Sequence, residues 1–156
     1  MQMAKSATDT FHILGIIIRM ISPSAANGGA FSIAEFVTRP GAGSPPNRHP
    51  GEDESFYVLS GTYEFMVEGE ARIVGPGGFV SVQDGRPHKF TNTGPGDAMM
   101  LVINAPGKVH DGFFAEAGEP LPSGSKIFPP PGAAPPDIDR IRSIAERHGI
   151  EFLASA

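Results

Sequence analysis

The chain has 156 residues, enough for one domain with a single hydrophobic core and too few for two. Its formal charge of -5, spread without a Lys/Arg cluster, argues against binding nucleic acid, which needs a concentrated basic face. With no cysteine, disulfides and thiolate metal sites are excluded, so any metal falls to imidazole and oxygen, and a cytoplasmic location fits.

Twenty glycines and sixteen prolines interrupt helices and mark turns, which points to an all-β chain. Residues 1–10 are polar and read as a flexible tail. Ile13 to Ile21 is β-branched and apolar on both faces, which suits a buried strand. Arg19 interrupts it, and it is far shorter than the roughly 20 residues that cross a bilayer, so no membrane association is expected. Ala30 to Thr38 alternates as a second strand. Glu54 to Ser60 is a strand with Thr62 to Glu68 as its expected hairpin partner, and Tyr63, Phe65 and Val67 share one face. Ala71 to Val74, Phe79 to Gln83, His88 to Thr91 and Met99 to Asn104 continue the series between Gly- and Pro-rich turns. About seven or eight short strands joined this way describe a sandwich or barrel.

The barrel is expected over residues 11–107, with a C-terminal extension over 108–156. Within the extension, Pro120 to Pro136 reads as an extended connector and residues 137–148 as a helix. Asp137 is a natural N-cap, Ile138, Ile141, Ile144 and Ala145 form one apolar stripe, and His148 and Gly149 close the last turn. That stripe is expected to pack on the outside of the barrel. The run Gly75 to Gly78 is a turn, because no Lys-Ser/Thr and no helix follow it.

Chemistry concentrates in two stretches. His49 and Glu54 stand on either side of a Pro50-Gly51 turn, and His88 ends a later turn. Alternate strand residues share a face, so Asn47 and His49 point the same way, the turn returns Glu54 beside them, and His88 arrives from another strand. Two imidazoles and a carboxylate suit a divalent transition metal such as Fe, Mn, Ni, Zn or Cu and leave coordination positions open. Phe90 shares the parity of His88 and puts an aromatic wall beside the site. Phe56, Tyr63, Phe65 and Phe90 read mainly as core, and as candidates for the walls of a substrate pocket. His12, His110 and His148 lack ligand-spaced partners. The first two read as surface or structural, and His148 complements the helix C-terminus.

Taken together, the stretches Gly41, Asn47, His49, Glu54, Gly61 and Gly77, Gln83, Gly85, His88, Asn92 resemble the two motifs of the cupin superfamily. Asn47 stands where the first histidine falls, and Gln83 where a proline falls. The resemblance implies a double-stranded β-helix over roughly residues 13–105 with a short C-terminal α-helix. It also implies up to four metal ligands, of which Asn47 can serve only weakly or indirectly. Among cupins the chain most resembles the small quercetin dioxygenase-like members. That suggests a small-molecule-processing cupin with a mononuclear metal, in the manner of a dioxygenase, while Asn47 favours the alternative of a metal-free ligand-binding cupin. Because cupins commonly pair, and because Ile13 to Ile21 needs cover on both faces, a homodimer is expected.

Overall fold

The computed structural model describes residues 8–132 and 134–156. Residues 1–7 of the expected tail lie outside the described residues, and Thr10 is not tail at all: it is buried and opens the first strand. The strands run β1 (Thr10–Ile13), β2 (Ile16–Ser22), β3 (Ser32–Thr38), β4 (Asn47–Arg48), β5 (Asp53–Ser60), β6 (Tyr63–Val67), β7 (Glu70–Val74), β8 (Phe79–Val82), β9 (His88–Asn92) and β10 (Ala98–Ala105). Helix α1 (Lys108–Ala117), β11 (Glu119–Pro120), α2 (Ile138–Arg147) and β12 (Glu151–Phe152) follow. Antiparallel pairing builds a seven-stranded sheet in the order β11-β1-β2-β3-β10-β5-β8 and a five-stranded sheet in the order β12-β4-β9-β6-β7. This is the expected all-β double-stranded β-helix with a short C-terminal helix.

Three local expectations change. The apolar run from Ile13 to Ile21 is the second half of a hairpin, turned at Leu14 and Gly15 with φ of 51° and 79°. Ile16, Ile18 and Met20 face the core between the sheets, whereas Ile17, fully buried, faces the other way with its cross-strand neighbours His12 and Val37. That outer face is covered by the Pro-rich connector. Phe128 meets His12 edge-on with centroids 6.0 Å apart, the Arg39 guanidinium lies 4.2 Å over the Phe128 ring, and Lys126 pairs with Glu35 at 3.5 Å. The chain thus supplies the second cover itself.

The strand β6 is not the hairpin partner of β5. The two lie in different sheets: β5 pairs with β10 and β8, and β6 with β7 and β9. Alternation correctly sorts their faces, but Gly61 carries the chain across so that Phe56 and Val58 meet Tyr63 and Phe65 through the core. Gly61 sits at φ 77°, and a Cβ placed there comes within 2.6 Å of the Ala98 Cβ. Left-handed backbone alone costs an L-residue about 1–2 kcal/mol, so Gly61→Ala is expected to lower stability by at least that much in chemical denaturation. An unchanged midpoint would mean that the crossing tolerates another backbone conformation.

The helix α2 forms as its sequence indicates. The Asp137 carboxylate accepts the Arg140 N–H at 3.0 Å, and Ile141, Ile144 and Ala145 are buried while Ile138 is 42% exposed. The buried stripe does not lie on an outer sheet face. It packs with α1 and β12, and with Phe113, Phe114 and Ile150 joins the core between the sheets. His148 caps the helix, its backbone N–H reaching the Ala145 carbonyl at 3.0 Å. Its ring meets Glu116 of α1 at 3.0 Å, beside Arg147 at 2.6 Å. These partners, Arg147 first, hold the Glu116 carboxyl below its usual range.

Candidate metal centre

The site forms where the two sheets face one another. The five-stranded sheet contributes His88, on β9, and Asn47, on β4, directly opposite it in the ladder; His49 follows one residue past β4. The seven-stranded sheet contributes Glu54 on β5, opposite Asn104 on β10. A third wall is α1, which brings His110. All six side chains are buried, with His49 fully so.

Glu54 is the centre of the cluster. The His88 Nε2 lies 3.0 Å from Glu54 Oε1, and the His49 Nε2 lies 3.6 Å from the same oxygen. The His110 Nε2 is 3.4 Å from Glu54 Oε2. Each ring's other nitrogen faces an acceptor: His49 Nδ1 the Glu52 carbonyl at 3.1 Å, His88 Nδ1 the Arg86 carbonyl at 2.7 Å, and His110 Nδ1 the Glu52 carboxylate. An Nδ1–H donated outward would leave Nε2, which faces Glu54, as the nitrogen to bind a metal, as in histidines that ligate metals. Asn104, with its amide nitrogen oriented toward the carboxylates to match donors to acceptors, donates to Glu52 Oε1 at 3.2 Å and Glu54 Oε2 at 2.8 Å.

The electrostatics follow. Burial disfavours the charged form of Glu54, but His110, His49 and His88 around it outweigh that cost and hold its carboxyl well below the usual range. Burial likewise opposes a proton on His49, yet the neighbouring Glu54 carboxylate raises its basicity above the ordinary imidazole value. The His49 Nε2 and Glu52 Oε2 atoms are buried without a hydrogen-bond partner. Two groups, His49 with Glu54 and His88, and His49 with Glu52 and His110, bring their ligand atoms within 4.8 Å of one another.

The sequence-derived residues His49, Glu54 and His88 therefore come together. Asn47 lies beside them but spends its amide on the Pro45 carbonyl at 2.9 Å and the His88 carbonyl at 3.4 Å. Of the four aromatics expected around a pocket, Phe90 lines the adjoining cavity, whereas Phe56, Tyr63 and Phe65 interlock in the core. Tyr63 further donates to Thr38 Oγ1 at 2.9 Å, and its buried hydroxyl resists ionisation. Residues that strand spacing missed are Glu52, Asn104 and His110. His110 is not a surface residue: it shares one face of α1 with the buried Phe113 and Phe114. An imidazole at that helical spacing from two buried aromatics was the available signal.

The cavity beside Glu54 is small, about 60 Å³, and largely apolar. Ile13, Ile18, Phe36, Phe90 and Phe114 line it, and Glu54, Asn47 and His110 supply its polar end.

Residues 34–104 match the Cupin domain family. No curated protein matches the sequence significantly. In fold the chain is similar to KdgF from Halomonas sp., with a TM-score of 0.56 and 20% identity over 62% of this chain and 84% of that one. It is similar also to a predicted oxalate decarboxylase from Thermotoga maritima, with a TM-score of 0.54 and 24% identity over 64% and 91% of the two chains. A third is an RmlC-like cupin from Shewanella frigidimarina, with a TM-score of 0.55 and 16% identity over 64% and 84%. Over residues 34–104 the chain is thus similar to the Cupin domain family, and its paired sheets are similar in fold to those solved structures.

Proposed function

We propose that this cupin is a metal-dependent enzyme that processes a small, mostly apolar molecule, with dioxygenase-like oxidation as its reaction class. The observation that carries the metal is the pair of Nε2 atoms of His49 and His88 facing the buried Glu54, one of them without a hydrogen-bond partner. Charge supports it as well: Glu52 and Glu54 are both buried, and buried carboxylates require compensation that a single divalent ion supplies.

Bound there, such a metal supplies Lewis acidity and open coordination positions for substrate and oxidant. The chain's own residues do the rest. The Glu52 and Arg86 carbonyls hold the two imidazoles in the ligating tautomer, and Asn104 fixes the carboxylates. Phe36, Phe90 and Phe114 exclude water from the reacting end and restrict the substrate to a few atoms' width. The residues thus fit the metal that the fold family implies. Calorimetric titration of metal-stripped protein with Fe, Mn, Co, Ni, Cu and Zn ions tests it: one site per chain is expected, and no binding of any ion overturns it.

The second reading, a metal-free ligand-binding cupin, is favoured by Asn47, whose amide is already hydrogen-bonded to backbone and offers no imidazole. In that case a small apolar ligand binds the cavity with equal affinity before and after chelation.

The protein is further proposed to be a cytoplasmic homodimer. No helix among the described residues is long and apolar enough to cross a membrane. With Ile17 covered by the connector, the dimer rests instead on Tyr57, Leu59 and Phe79, which are 40%, 39% and 50% exposed on one outer sheet face. Tyr57 and Phe79 are cross-strand partners, and the partly buried Leu101 lies opposite Tyr57 on its other side, so the apolar surface is continuous. A second copy presenting the same face covers it by two-fold symmetry. Light scattering is expected to report a dimer at micromolar concentration, and Leu59→Glu a monomer. A monomeric parent contradicts the proposal.

A further inference from the structure

The metal reading above leaves one oddity: a histidine is missing from the expected ligand set at Asn47, and a histidine outside both motifs stands in the same cluster. We infer that His110 is the fourth protein ligand, supplied by α1 in place of the histidine missing from position 47, and that Glu52 is the residue that positions it.

The geometry is that of a ligand and not of a packed histidine. The His110 Nε2 approaches the other oxygen of Glu54, 3.4 Å from Oε2, where Asn104 also donates, while His49 and His88 gather at Oε1. The ring stands at 89° to that of His49 with centroids 4.6 Å apart. Its Nδ1 donates to the Glu52 carboxylate, which Asn104 holds in turn. A carboxylate behind the ring is the arrangement that fixes the orientation of a metal-binding histidine. Asn47, Glu54 and His110 all border the same cavity. With His110 included, the residues that would hold the metal are three imidazoles and one carboxylate, shared between two groups that meet at His49, and the two buried carboxylates would offset its two positive charges.

The consequence is that α1 is part of the metal centre. It is the only ligand-bearing element among the described residues that lies outside the two sheets, so metal binding should fasten the helix that also presents Phe113 and Phe114 to the cavity.

Co(II) serves as probe, because its visible spectrum reports ligand number as well as binding. His110→Ala is expected to weaken Co(II) binding by at least about 100-fold, more than loss of an outer-shell partner costs, and to change the spectrum. Glu52→Gln should weaken it less, with a similar spectrum. In the His110→Ala background, Asn47→His should recover most of the lost affinity, whereas in the parent it should change affinity little, since the set is already complete. His110→Gln, which conserves more of the side-chain volume, repeats the test should the alanine variant fail to fold. His110 variants that bind Co(II) with the parent's affinity and spectrum overturn the role of His110 and leave the metal site standing. A parent protein that takes up no Co(II) overturns both.

Discussion

His88→Ala is expected to lower affinity for a divalent transition metal by at least about 100-fold, beyond what loss of an outer-shell partner costs. His88 makes the shortest imidazole contact of the barrel strands to Glu54, 3.0 Å, and its Nδ1 is held by the Arg86 carbonyl, so the ring is fixed in place. The residue is buried at 2% exposure, and the alanine variant leaves a gap beside an ionised carboxylate where a ligand stood. Calorimetric titration of the folded variant, with circular dichroism as the control for structure, reads the effect directly. Undiminished binding would remove His88 from the ligand set and with it the convergence of the two sheets on one ion.

Phe56→Ala carries the largest expected loss of stability. Phe56 packs against Phe65 with centroids 5.0 Å apart and against Phe90 at 5.8 Å, and it is 1% exposed. Truncating a buried phenylalanine in such a cluster costs about 3–5 kcal/mol. At roughly 2–4 °C per kcal/mol for a chain of this size, the melting temperature should fall by about 10 °C. Urea denaturation of the metal-stripped variant measures it without the metal's contribution. A variant of parental stability but altered ligand affinity would instead make Phe56 a pocket wall.

Much of this arrangement was legible in the sequence because it depends on local rules. Alternation on β5 and β9 put Glu54, Phe56, His88 and Phe90 inside, and the turn at Pro50-Gly51 put His49 near Glu54. What local rules do not contain is which sheet a strand joins. The hairpin expected between β5 and β6 failed there, since a glycine at positive φ can close a hairpin or carry the chain across a core. The two-faced apolar run had the same ambiguity: its outward residue Ile17 found cover in a connector more than a hundred residues later. His110 was missed for a related reason. Its partners Glu52 and Glu54 are 58 and 56 positions away, and only the path of the chain after β10, turning α1 back over the sheets, brings them together. Proximity in space, not spacing in sequence, makes it part of the site.

The most direct measurement is elemental analysis of the full-length protein, produced without a polyhistidine tag and without added metal, and dialysed against metal-free buffer. Two overlapping groups, His49 with Glu54 and His88 and His49 with Glu52 and His110, should retain a transition ion through such handling. The account predicts close to one equivalent of a single divalent transition metal per chain, lost on chelation and restored by one equivalent of the same ion. Protein that contains only traces of any such metal, and that refuses the ion when it is offered, would contradict it.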